Sequence, residues 1–84
     1  MYIDIGGDMA VRDKNIVGVF DLDAVSVSGK TMDYLRKTEK EGALISVSED
    51  IPKSFLVTKE YGMEKVYFTH LSAQTIERRA SEKG

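Results

Sequence analysis

Asp21 and Asp23 stand two residues apart just past an apolar run, a spacing that lets both carboxylates point the same way and share a proton or a cation. No third ligand accompanies them, and a solvated connector accounts for the pair better than an acid–base or metal centre. His70, the single histidine, lies between a strand-like segment and a helix-capping serine, with no partner to orient it as a base, and it reads as a loop residue. The serines lack a neighbouring base and the Gly-x-Ser-x-Gly elbow that exposes a nucleophile. Gly6-Gly7 precedes no helix and no Lys-Ser or Lys-Thr at phosphate-loop spacing, so a plain turn explains it. Zero cysteines remove thiol catalysis, disulfides and thiolate metal sites together. These residues predict a non-enzymatic protein with no metal, no cofactor and no small-molecule substrate.

What remains is positive charge placed at the ends of elements. Arg12 and Lys14 fall at a turn, Lys53 follows Pro52, and Arg78-Arg79 lie in the last helical segment. Cations at turns and helix ends can reach phosphate oxygens without a groove-sized recognition element. The same positions also fit an ordinary solvated surface, and Arg78 and Arg79 suit intersubunit or C-terminal dipole contacts as well. Twelve Lys plus Arg against fourteen Asp plus Glu give a net charge of −2. That total excludes a whole-surface electropositive binder of nucleic acid while leaving room for a local basic face.

The alternation in Tyr2-Ile3-Asp4-Ile5, cut by Gly6-Gly7 and resumed at Met9 and Val11, predicts a hairpin whose turn uses the positive φ open to glycine. A second turn at Asp13-Lys14-Asn15 leads into Ile16-Val17-Gly18-Val19-Phe20, apolar and β-branched enough to expect cover on both faces from a helix layer or a neighbouring subunit. Asp21 to Gly29 reads as a connector, with Ser26 and Ser28 as helix caps. From Lys30 to Glu41 the period turns helical, with Thr31, Tyr34, Leu35 and Thr38 on one narrow face and Gly42 just past the end. Strands follow at Ala43–Val47, Ser54–Thr58 and Lys65–Thr69, the last two joined through Tyr61-Gly62, and Pro52 limits how early the middle one can pair. Ser72 then caps a final helix, with Leu71 positioned to pack on Ile76. The order is β-β-β-α-β-β-β-α: an α+β fold around a small mixed or antiparallel sheet.

Eighty-four residues make a single domain, 1–84. A chain this short buries only roughly 60–65% of the surface its unfolded form exposes, which makes self-association a plausible aid to stability. No run approaches the ~20 apolar residues of a membrane span, and Met1-Tyr2-Ile3-Asp4 does not open a secretory signal, so the expected location is cytoplasmic with no membrane partner.

Four stretches occur in a telling order: Tyr2-Ile3-Asp4-Ile5-Gly6-Gly7-Asp8, Asn15-Ile16-Val17-Gly18-Val19-Phe20-Asp21, Pro52-Lys53-Ser54-Phe55-Leu56-Val57-Thr58, and Leu71-Ser72 through Thr75-Ile76-Glu77-Arg78-Arg79-Ala80. In that order the chain resembles the bacterial extracellular matrix regulators RemA and RemB, and the RemB branch most closely. No single motif is diagnostic, but their collinearity over nearly the whole chain is fairly specific. The resemblance implies a protomer of a closed homo-oligomeric ring and, for the RemA branch, binding to promoter DNA as a transcriptional regulator of biofilm matrix genes. RemA-like members are associated with arginine at the start of the third strand and an arginine cluster before the fifth. Here those places hold Asn15, preceded by Lys14, and Ile51-Pro52-Lys53, with Glu49-Asp50 alongside. A lysine is a point charge where arginine grips bidentately. Around a ring, however, one or two phosphate contacts per protomer combine as avidity. The expected contacts to duplex DNA are Arg12, Lys14 and Lys53. The alternative is a ring-forming scaffold that has lost DNA binding and acts through protein partners.

Overall fold

The computed structural model describes residues 1–25 and 29–82. Its elements are β1 (Tyr2–Asp4), β2 (Ala10–Arg12), a 3-10 turn (Asp13–Asn15), β3 (Ile16–Asp21), α1 (Leu22–Val25), α2 (Gly29–Lys40), β4 (Leu44–Ser46), β5 (Ser54–Glu60), β6 (Met63–Thr69) and α3 (Ala73–Ser81). The expected order holds with one addition, α1, inside the stretch read as a connector. Its local cause is Asp21, whose Oδ1 accepts the Asp23 amide at 2.8 Å, while the Leu22 amide donates to the Lys53 carbonyl at 3.0 Å and the Leu22 side chain packs on the core. The caps expected at Ser26 and Ser28 lie outside the described residues.

β1 and β2 form an antiparallel ribbon, and a four-stranded sheet runs β3-β5-β6-β4, with β4 parallel to β6 and the other pairs antiparallel. The sheet is therefore mixed. Side chains alternate along β5 and β6, and the alternation divides the core in two. Phe55, Val57 and Val66 pack with Leu35 of α2 on one face. Leu56 packs with Ile3, Ile5 and Val11 of the ribbon and Ile76 of α3 on the other.

The helix ends follow their sequence signals. Gly42 takes φ 76°, and the Ala43 and Gly42 amides donate to the Thr38 and Glu39 carbonyls, each at 3.0 Å, which satisfies carbonyls that the end of α2 leaves free. Ser72 Oγ accepts the Thr75 amide at 3.1 Å, and Leu71 packs on the cluster that contains Ile76. The ribbon turn differs in detail from a Gly6-Gly7 turn. Positive φ runs through Gly6, Gly7 and Asp8, and the Met9 amide closes on the Gly6 carbonyl at 3.0 Å, so the bend centres on Gly7-Asp8.

Within one protomer no helix layer among the described residues gives β3 the two-sided cover expected from either a helix layer or a neighbouring subunit. It is an edge strand, and the register shift between Ile16 and Gly18 leaves Val17 as an unpaired extra residue. Ile16 and Val19 pack on the ribbon-side cluster, whereas Val17 is 65% exposed and Phe20 40%.

A methyl group on Gly7 would lie 1.6 Å from the Val47 carbonyl oxygen, and φ there is 58°. Gly7→Ala is therefore expected to cost at least about 2 kcal/mol, read as a fall in the urea midpoint. Thr69 Oγ1 donates to the buried Ile5 carbonyl at 2.6 Å and accepts the Leu71 amide at 3.1 Å. Thr69→Val keeps the shape and strands both groups, at an expected cost of about 1–3 kcal/mol in the same measurement.

Candidate nucleic-acid interface

The sheet has two ends, and the candidate cations divide between them. Arg12 ends β2 and immediately precedes the 3-10 turn that carries Lys14, and both side chains are exposed. This turn abuts the tip of the β5–β6 hairpin, where Asn15 Nδ2 donates to Glu60 Oε2 at 2.8 Å. Lys53 is exposed at the far end: its amide bonds the Thr69 carbonyl at 2.9 Å and its carbonyl receives the Leu22 amide. Ile16 pairs with Thr58 and Asp21 with Ser54, so the length of β3, about 17–20 Å, separates the two groups. The fold brings Arg12 and Lys14 together and holds Lys53 apart.

Acidic neighbours temper both ends. Asp13, between Arg12 and Lys14, accepts the Lys14 amide at 2.8 Å and lies 3.3 Å from the α-amino group of Met1. Desolvation acts to raise its pKa, but those hydrogen bonds and the nearby positive charges outweigh it and hold the carboxyl below its ordinary range. Glu60 stands at the same end, and Glu49-Asp50 precede Lys53.

Asp21 and Arg79, two of the remaining chemically suggestive residues, make structural contacts. Asp21 caps α1 through the Asp23 amide, and among the described residues no group of three or more His, Asp or Glu could hold a metal ion. His70 lies with its ring against Gly6, and its Nδ1 is buried with no hydrogen-bond partner among the described residues. Arg79 donates from Nη1 to the Asp4 carbonyl at 2.7 Å, tying α3 to β1, and Arg78 stands 4.0 Å from Glu82 on its own helix. Arg79 thus makes its contact within the protomer, at the surface.

One residue escaped the sequence reading. Tyr61, at the hairpin tip beside the Lys14 turn, adopts φ 53° and is 93% exposed. A bulky residue in left-handed backbone with nothing to pack on is strained without structural return, and such positions gather at functional surfaces. The signal was present as Tyr-Gly where hairpin turns favour Asn-Gly or Asp-Gly.

The described residues thus define a small α+β protein with exposed cations at turns and strand ends and an apolar edge strand. No helix among them is long and apolar enough to cross a membrane. No protein-family model matches the chain. It is 36% identical over 80 residues to Extracellular matrix regulatory protein B of Bacillus subtilis (strain 168), an alignment covering 95% of this chain and 90% of that protein. The chain belongs to the family of extracellular matrix regulatory proteins, on its RemB-like branch.

Replacing Tyr61 by Asn should relieve the backbone strain at no packing cost and stabilise the fold by about 1 kcal/mol. A thermal melt would show this as a rise of roughly 4–8 °C for a domain of this size.

Proposed function

We propose that this protein is a non-enzymatic, homo-oligomeric regulator that contacts duplex DNA through Arg12, Lys14 and Lys53 and acts in the cytoplasm on genes of the extracellular matrix. The observation that carries the regulatory part is the similarity over 95% of the chain to a protein named for regulation of that matrix. The DNA part is supported by three exposed cations at turns and strand ends, where side chains reach phosphates without a recognition helix. One protomer offers these cations at two ends of a sheet and holds them too far apart for a single patch. Repeated around a closed ring, each end becomes a rim, and a weak contact at each protomer multiplies into useful affinity. Self-association is supported by the uncovered β3 edge.

A second reading, a ring-forming scaffold that acts through protein partners, is favoured by Asp13, Glu60, Glu49 and Asp50 beside the candidate cations and by the net charge of −2. Salt separates the two. A DNA binder loses affinity steeply as salt rises, because each neutralised phosphate releases counterions. Joint Lys14→Glu and Lys53→Glu substitution is expected to lower affinity for duplex DNA at least about tenfold at low salt and to flatten the salt slope, with the oligomer unchanged by light scattering. Undetectable binding by the unaltered protein at low salt would leave the scaffold.

A further inference from the structure

The face that β3 shares with α2 carries a trough of about 330 Å³, lined by Val17, Phe20, Lys30, Tyr34, Phe55 and Glu64 among others. Phe20 stacks on Phe55 with ring centroids 5.0 Å apart, which gives the trough an aromatic floor, and the exposed Val17 forms its outer lip. Burial and then the neighbouring Glu64 carboxylate push the Tyr34 phenol above its ordinary pKa, which places Glu64 in the company of Tyr34. Lys30 is different: among the described residues no carboxylate lies within ion-pair distance of it. The trough is therefore largely apolar and open along an unpaired strand edge, with Glu64 beside the Tyr34 phenol and Lys30 in no ion pair among the described residues.

The complement lies elsewhere on the same chain. Ile51 is 86% exposed, on the connection that leaves β4, the opposite edge strand of the sheet. It precedes Pro52, which restricts it to extended backbone, so its presentation costs little conformational freedom. Two carboxylates, Glu49 and Asp50, come immediately before it, and neither forms an ion pair among the described residues. An aliphatic knob flanked by unmatched negative charge thus answers a largely apolar trough whose lysine is in no ion pair among the described residues.

We propose that the trough of one copy receives Ile51 of a second copy, with Lys30 facing Glu49 and Asp50 of that second copy. This rests on the self-assembly proposed above and assigns its surfaces. The knob lies on the β4–β5 connection at one end of the sheet and the trough on the face between β3 and α2, so every copy gives one and receives one. Such a head-to-tail contact generates a ring when the rotation per copy closes.

The chain has no cysteine, so introduced thiols report their own neighbours only. Val17→Cys and Ile51→Cys both fall at exposed positions and leave the core intact. An oxidised equimolar mixture of the two single variants should yield covalent dimer, whereas either variant alone should not. Ile51→Asp should bring the mass by light scattering down to that of a single protomer. Lys30→Glu should weaken association by about tenfold or more, and adding Glu49→Lys and Asp50→Lys in the same chain should restore it. An assembled protein that ignores Ile51→Asp, or that crosslinks through Val17→Cys alone, would overturn this assignment and leave self-assembly standing. An unaltered protein found at the mass of one protomer would overturn both.

Discussion

The hydroxyl of Thr69 is where the two halves of this fold are fastened. It sits 1% exposed at the end of β6, gives its proton to the Ile5 carbonyl and receives the Leu71 amide. One small side chain thereby ties the ribbon, the sheet and the start of α3 at a point where water cannot substitute. Ser54, its cross-strand neighbour, repeats the device by donating to the Leu71 carbonyl at 2.7 Å. The close approach of Gly7 to Val47 follows from the same docking, because the ribbon turn is drawn down onto the chain that leaves β4. Without these contacts the ribbon has no fixed seat, and Leu56 loses the cover of Ile3, Ile5 and Val11.

Elements whose signals are local were legible in the sequence. Gly42 ends α2 because its backbone conformation is one that other residues resist, and Ser72 caps α3 because its hydroxyl meets a free amide; neither depends on a distant partner. The hairpin at Tyr61-Gly62 was legible for the same reason. Pairing partners were less so. Nothing in Ala43–Val47 reveals that this strand runs parallel to β6, since its neighbour is chosen by the crossover through the chain between them. The helical turn at Leu22–Val25 was hidden because four residues are too few to show a period, and the Asp21 cap resembled a carboxylate pair instead.

The candidate site was legible in its membership and illegible in its arrangement. Exposure of Arg12, Lys14 and Lys53 follows from residue type and from turns, both of which a sequence displays. Their division between two ends of a sheet depends on the antiparallel pairing of β3 with β5, which places the residue before β5 opposite the end of β3. Arg79 makes the complementary point. Its sequence neighbours mark it as surface charge, while the fold brings it to the Asp4 carbonyl, 75 residues away in the chain, where a guanidinium can bridge a helix and a strand.

Smallness and charge acquire their meaning from the unfinished edge of the sheet. The two faces of β5 and β6 are filled by α2, α3 and the ribbon, which uses most of the apolar residues that 84 positions supply. β3 is left with an apolar sequence and cover on one side only. Bulging at Val17 twists this edge and so discourages indiscriminate strand addition, but a bulge cannot hide a trough of about 330 Å³ or the ring of Phe20. A lone protomer of this shape leaves apolar surface open to water; in the proposed assembly the exposed Ile51 on the β4–β5 connection of a second copy turns the same surface into a join. In the proposed assembly the net charge of −2 describes one unit, to be summed around the whole. A phosphate backbone would meet, in that proposed assembly, the spacing of a few cations along a rim, with the acidic residues Glu49 and Asp50 in the seams between copies.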